Sequence, residues 1–260
     1  MIRETLEPVI SEQLQQSAAL TLIEAQQKPI FVDFISLTAT NILFSGGCYY
    51  KTEEVYLAAF SQLGIKLPES QKKAVLKRQV EFMAGRYSAQ QALYTLGVNP
   101  PVMIPVNKDR SPHWPDGIVG AITHSDHLAL AVVADQKNVT ALGVDLEKEI
   151  NPTIAKDIAK QIISLTEQNN CAKWGCPFNW FLTLAFSAKE SLYKALYPHV
   201  KQFFGFEAAE LIELNTIEQS FRLQLTEDLS GNYKAGDCFR GTYSYQEGFI
   251  CTLIMCINSG

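Results

Sequence analysis

Three β-type segments follow one another in the middle of the chain, 120–124, 128–134 and 140–147, and a long helical pattern lies on each side of them. One helical pattern runs from about Glu69, just after Pro68, to Leu96, before Gly97. The other runs from Pro177 to Tyr197, where Pro198 closes it. A period of two inside a period of 3.6 cannot be all-helix or all-strand. Ahead of these elements, Ile30–Leu37 reads as a strand and Lys51–Leu63 as a shorter helix. Behind them, Pro152–Thr166 reads as a helix, and 203–257 as four short strands with turns at 228–232 and 246–248. The order predicts an α+β protein in two halves that meet near Lys148, 1–148 and 149–260. No fixed-period repeat supports the division.

With 260 residues, 47% hydrophobic and 19% charged, the chain can bury an ordinary core, which excludes a disordered tail, a collagen-like repeat and a disulfide miniprotein. Its net charge of −5 argues against a general nucleic-acid binder. The charge is uneven. Between residues 66 and 110, Lys66, Lys72, Lys73, Lys77, Arg78, Arg86, Lys108 and Arg110 face only Glu69, Glu81 and Asp109. A basic block in an acidic protein predicts a local anionic ligand. The six cysteines form no C-x-x-C pair, and most are read as buried small hydrophobes. The first residues, MIRETLEPVI, carry acids where a secretory leader needs a basic flank, and no stretch approaches the ~18 apolar residues of a membrane span, so a cytoplasmic protein is expected.

The sharpest motif is GVDLEK, 143–148. In a strand, Val144 and Leu146 face the core while Asp145 and Glu147 project together from the other face, about 7 Å apart. Two such carboxylates can share a hard cation, Mg²⁺ or Mn²⁺ rather than zinc; a half-buried strand with a polar outer face is the plainer account. On the 177–197 helix, Phe178, Phe181, Leu182, Ala185, Ala188, Leu192, Ala195 and Leu196 form the apolar stripe. Glu190 stands about 140° from Ala185 on the helical wheel, with Lys194 one turn on. That pair is either a third ligand with its counter-charge or a surface i, i+4 ion pair.

His124 and His127 flank a turn, where two rings need not converge, so zinc is not expected. His124 is either an anion ligand or a capped turn histidine. The proline-rich connection 100–115 has the length of a functional loop. Gly85 inside the basic helix costs roughly 1 kcal/mol relative to Ala, which close packing or ligand approach beside Arg86 would justify. G-x-S-x-G, P-loop and G-x-G-x-x-G signatures are absent.

GVDLEK (143–148) followed about forty residues on by FSAKESLYKAL (186–196) resembles the paired signature of the 4'-phosphopantetheinyl transferases, G-(I/V)-D-x-E and (F/W)-(S/T)-x-K-E-(S/A)-x-x-K. KRQVEFMAGRYSAQQAL (77–93) and DRSPHWPDGIVGAITHSDHLALAV (109–132) resemble its siderophore-assembly branch, with Ala121 as a departure where Ser or Asn is usual. The resemblance implies a monomer of two similar α+β halves with the active site between them. It implies transfer of phosphopantetheine from coenzyme A to a serine of an apo carrier protein (peptidyl, aryl or acyl), releasing 3',5'-ADP. Asp145, Glu147 and Glu190 would hold Mg²⁺ (Mn²⁺ possible), and Lys189 and Lys194 would neutralise phosphates. Arg78, Arg86, Arg110 and His124 would bind the 3'-phosphate, adenine end and pyrophosphate, Arg110 standing where the family usually has Lys. Glu147 or Glu190, directly or through water on the metal, would take the serine proton.

Siderophore or nonribosomal peptide synthesis is the expected service, with fatty-acid or polyketide carriers as the alternative. A Mg²⁺-dependent phosphoesterase using the same carboxylates and a non-catalytic carrier-binding module are the rival classes. Carrier proteins are usually acidic, so the 171–178 segment with Trp174 is a candidate docking surface, or else a core-packing tryptophan.

Overall fold

Two long helices each lie on an antiparallel sheet. The computed structural model describes residues 42–99 and 102–258; the strand expected at Ile30–Leu37 lies outside them. β1 (Phe44–Tyr49), β2 (Ile118–Ser125) and β3 (Leu128–Asp135) form a three-stranded sheet in the order β1-β3-β2. Helix α1 (Glu54–Gln62) packs on α2 (Leu76–Leu96), which covers β1 and β3. β4 (Val139–Lys148) pairs with β8 (Phe249–Ile257) in a five-stranded sheet that continues through β7 (Cys238–Gln246), β6 (Ser220–Leu225) and β5 (Ala209–Asn215). Helices α3 (Pro152–Ile162) and α4 (Leu165–Trp174) flank α5 (Phe178–Val200), which lies on β4 and β8. The fold is α+β, as the alternation of periods predicts. The GVDLEK strand, expected to end the first half, is hydrogen-bonded into the second sheet.

Helix boundaries differ from the sequence expectation in three places, each for a local reason. The basic helix begins at Leu76 rather than near Glu69, because Glu69–Gln71 form a single 3₁₀ turn and Val75 is extended. There the Gln79 amide donates to the Lys72 and Ala74 carbonyls at 3.0 and 2.7 Å. Tyr94, expected on its apolar stripe, is exposed, and Leu93 is buried in that turn instead. The helix expected over 152–166 is two helices. Ser164 stops α3 by starting α4 with a capping box, its hydroxyl accepting from Glu167 N at 3.2 Å while Glu167 Oε2 accepts from Ser164 N at 2.8 Å. α5 runs past Pro198 to Val200, since a proline in the last turn removes only one ladder bond, and Lys201, in the left-handed region, donates its N–H to Tyr197 O at 2.9 Å.

β4 separates two cores. Val144 and Leu146 pack with Leu130, Val132 and Leu253. On the α5 side, Phe181, Leu184 and Leu192 meet Leu223, Ile250 and Ile254. At Gly143 the helix lies so close that a Cβ would collide with the Ser191 carbonyl, which gives the glycine of the motif its steric reason. The six cysteines are all thiols; Cys48, Cys171 and Cys251 are buried, while Cys238 is exposed. No described helix is long and apolar enough to cross a membrane.

Candidate active site

β2 and β4 are edge strands of different sheets, and side-chain hydroxyls join them where a ladder would otherwise run. Thr123 Oγ1 accepts from Leu146 N at 3.1 Å and donates to Asp145 Oδ1 at 3.0 Å. Two residues on, Ser125 Oγ accepts from Lys148 N at 3.2 Å and donates to Glu147 Oε2 at 3.4 Å. The pleat thus aims Asp145 and Glu147 to one side, as the alternation predicts. That side lies under α5 and is no solvent face: Asp145 is 3% exposed.

Lys194 closes over the pair from α5. Its Nζ donates to Asp145 Oδ1 at 2.6 Å and to the Val144 carbonyl at 3.1 Å, so it reaches across to the strand and is not half of a surface pair with Glu190. Burial, then the charge of Asp145, and then that of Glu190 push the Glu147 carboxyl up to about 8, against the opposing pull of Lys194 and Ser125. Glu190 is also raised, by burial first and by Asp145, with Lys194 opposing. Three carboxylates therefore share one ammonium.

Asp145 Oδ2 is buried with no hydrogen-bond partner. An orphaned carboxylate oxygen beside two carboxyls held above their ordinary range is a donor set that suits a hard divalent cation. Among the described residues, no group of three or more His, Cys, Asp or Glu is gathered as a metal-holding cluster; Lys194 supplies the positive charge at Asp145.

A cavity of about 700 Å³ opens beside this cluster, lined by Glu81, Phe82, Gly85 and Arg86 of α2, Lys108 and Arg110 of the following loop, and Ile122 and His124 of β2. Gly85 is needed for close approach, since a Cβ would press on Ile122. Arg86 is 7% exposed, with its Nε donating to the Ile104 carbonyl at 2.7 Å and its guanidinium 4.5 Å from the Phe82 ring centre. Burial lowers it to about 10, and among the described residues no carboxylate pairs with it. A buried guanidinium without a counter-ion is a site for an anion. Burial lowers His124 as well; Glu81 opposes the shift while Lys194 and Arg78 add to it.

The loop after α2 divides this cavity from a second one of about 390 Å³, lined by Trp114, Tyr193, Tyr197 and Lys194 among others. Asn107 braces the loop, its amide donating to Ser111 Oγ at 3.0 Å and its carbonyl oxygen meeting His113 Nδ1 at 3.0 Å. Arg110, at the tip with φ 70°, borders both cavities.

The structure thus brings together Asp145, Glu147, Glu190 and Lys194, and places Arg86, Arg110 and His124 around the adjoining cavity. Arg78 is mostly exposed and donates to Glu81 Oε2 at 2.9 Å, so it acts on the cavity through that carboxylate. Lys189 is a correction. Expected at the phosphates, it is buried elsewhere, donating to Glu167 Oε2 and Ile162 O, both at 2.8 Å. One residue is 100° of helix, enough to turn Lys189 away from the face that carries Glu190. Of the two readings of Trp174 the structure favours packing: it ends α4, half-buried, and lies against Phe181 at the edge of the core with ring centres 5.8 Å apart. His127 does not converge with His124; it stacks on Tyr49 at 5.4 Å. Glu81, unmarked in the sequence, is 4% exposed in the cavity wall. Its signal was an acid between Arg78 and Arg86 in a basic helix.

Two family comparisons coincide with this geometry. Residues 67–134 match the sequence model of the 4'-phosphopantetheinyl transferase N-terminal domain, and residues 141–252 that of the 4'-phosphopantetheinyl transferase superfamily. The chain is 33% identical over 190 residues to 4'-phosphopantetheinyl transferase PptT of Mycobacterium tuberculosis, 70% of this chain and 81% of that one. The chain belongs to the 4'-phosphopantetheinyl transferase superfamily. Within it, enterobactin synthase component D of Salmonella typhi is 40% identical over 148 residues, 56% of this chain and 60% of that protein. Its counterpart in Escherichia coli (strain K12) is 36% identical over 140 residues, 54% of this chain and 64% of that one. The chain therefore matches somewhat less than two thirds of the length of these siderophore-type relatives.

Proposed function

We propose that the protein transfers 4'-phosphopantetheine from coenzyme A to a serine of an apo carrier protein domain, releasing 3',5'-ADP, and that it serves a siderophore or nonribosomal peptide synthase. The observation that carries this reading is the convergence of Asp145, Glu147, Glu190 and Lys194 close to His124, which lines a cavity walled also by Arg86 and Arg110. The similarity to enterobactin synthase component D supports the siderophore assignment.

Cavity walls with buried and exposed cations bind the phosphates and adenine end of coenzyme A: Arg86 through its unpaired guanidinium, and Arg110 and His124 from the loop and strand; Arg78, outside the wall, holds Glu81 in place. Asp145, Glu147 and Glu190 would hold Mg²⁺, or Mn²⁺, whose charge would stabilise the negative charge that builds on the leaving phosphate. Lys194 neutralises charge at the same place. In the transfer, the serine Oγ forms a bond to the β-phosphorus. The bond from that phosphorus to the bridging pyrophosphate oxygen breaks, and 3',5'-ADP leaves with the electron pair. The serine proton goes to Glu147 or Glu190. The sheet of β1 to β3 with α2 and the sheet that begins at β4 with α5 would meet at this cleft.

Incubating the protein with coenzyme A, Mg²⁺ and apo carriers of the siderophore, nonribosomal peptide and fatty-acid types, then weighing the carriers, tests the assignment. Modification of a fatty-acid carrier alone would move the service to the alternative pathway.

A further inference from the structure

Three successive residues of α5 are held in three directions. Ser191 Oγ donates to the Thr252 carbonyl of β8 at 3.0 Å. Glu190 faces Asp145 of β4, whose charge adds to burial in raising it against the pull of Lys194. Lys189 points the opposite way into a fully buried junction at Glu167, which is 0% exposed. Glu167 Oε2 accepts from Lys189 Nζ and Ser164 N, and Glu167 Oε1 accepts from Leu211 N of β5 at 2.9 Å. Lys189 also donates to the Ile162 carbonyl at the end of α3. One ion pair thus ties α5 to α3, α4 and β5 at the residue adjoining Glu190.

We propose that Lys189 and Glu167 are positioning residues: their buried pair fixes the rotation of α5 and thereby holds Glu190 and Lys194 against Asp145 and Glu147. The proposal rests on the transferase reading of that cluster. Such a pair is strongly sensitive to loss of one partner, because the other charge is then buried uncompensated, whereas replacement of both by neutral groups of similar size is tolerated by the fold. Rotation matters because Glu190 and Lys194 lie on one helix face, and any turn of α5 carries both away from β4 together.

The test uses Lys189→Met, Glu167→Gln and the double variant, measuring thermal unfolding, coenzyme A affinity by calorimetry, and transfer to an apo carrier as a function of coenzyme A and Mg²⁺. Lys189→Met alone is expected to be the least stable, and the double variant to recover most of that loss. The double variant should bind coenzyme A within about threefold of wild type, while kcat falls by about tenfold or more and the Mg²⁺ needed for half-maximal rate rises by about fivefold or more. A double variant with coenzyme A affinity weakened by about tenfold and kcat kept would make Lys189 a phosphate ligand and overturn the proposal. So would a folded double variant with wild-type kcat and Mg²⁺ dependence, which would leave the pair a stability element only. Wild-type protein that binds no coenzyme A would sink the transferase reading itself, and the proposal with it.

Discussion

The two long helices make the same contact with their sheets and then use it differently. On α2, a Cβ added at Gly46 of β1 would strike the Ser88 carbonyl and the Ala92 amide; on α5, one added at Gly143 of β4 would strike the Ser191 carbonyl and the Ala195 amide. Two residues before each serine stands a buried cation, Arg86 and Lys189, and each donates to an isoleucine carbonyl of a neighbouring segment, Ile104 at 2.7 Å and Ile162 at 2.8 Å. The difference is the counter-ion. Lys189 is closed by Glu167, whereas among the described residues Arg86 meets no carboxylate and opens on the cavity. A buried cation with an internal partner is a fastening; the same cation without one is, in the proposed function, where an external anion binds.

Five measurements probe that contrast. The largest effect belongs to the cluster that α5 carries: Glu190→Gln should lower kcat for carrier modification by about a hundredfold or more at saturating coenzyme A and Mg²⁺. If both Glu190→Gln and Glu147→Gln keep wild-type rates, the carboxylates have been misassigned. Next is Arg86→Met, expected to weaken coenzyme A binding by about tenfold or more through loss of a charge-assisted contact, with little loss of thermal stability because an unpaired buried charge is removed. Lys189→Met should show the reverse, and equal stability losses in the two variants would erase the distinction between the helices. Gly143→Ala should cost about 1–3 kcal/mol in denaturant unfolding, since the colliding atom is a helix carbonyl that cannot swing aside.

The last contrast is with pH. Glu147 is held at about 8 against an ordinary 4.5, so between those values the folded protein keeps a proton that the unfolded chain has released. Stability without divalent metal should therefore fall as pH rises through that window, and Glu147→Gln should flatten the dependence. Denaturation curves at about pH 5 and about pH 8 in the presence of a chelator give the comparison.

What could be read before the structure was the part governed by local period. The alternation in GVDLEK sent Val144 and Leu146 to the core and Asp145 and Glu147 to one side, and the stripe from Phe181 to Leu196 separated Glu190 and Lys194 from the buried face. Boundaries failed where a polar side chain overrode the period. Ser164 and Glu167 spell a capping box that divides what the apolar pattern joins, and Gln79 ties down the turn that delays α2. The role of Lys189 was beyond local reasoning, because it depends on which carboxylate tertiary packing brings within 2.8 Å, and that carboxylate lies in a helix the period had not separated. Glu81 was hidden for a related reason: an acid amid bases reads as a surface ion pair until burial makes it part of a cavity wall.

In the proposed function, the carboxylates under α5 and the cations around the cavity act together on one substrate pair. Mass spectrometry of an apo carrier incubated with the protein, coenzyme A and Mg²⁺ tests it most directly. The predicted result is a gain of one phosphopantetheine on the carrier serine with equimolar 3',5'-ADP, abolished in a carrier lacking that serine. Release of 3',5'-ADP with unmodified carriers would mean that water is the acceptor and would contradict it.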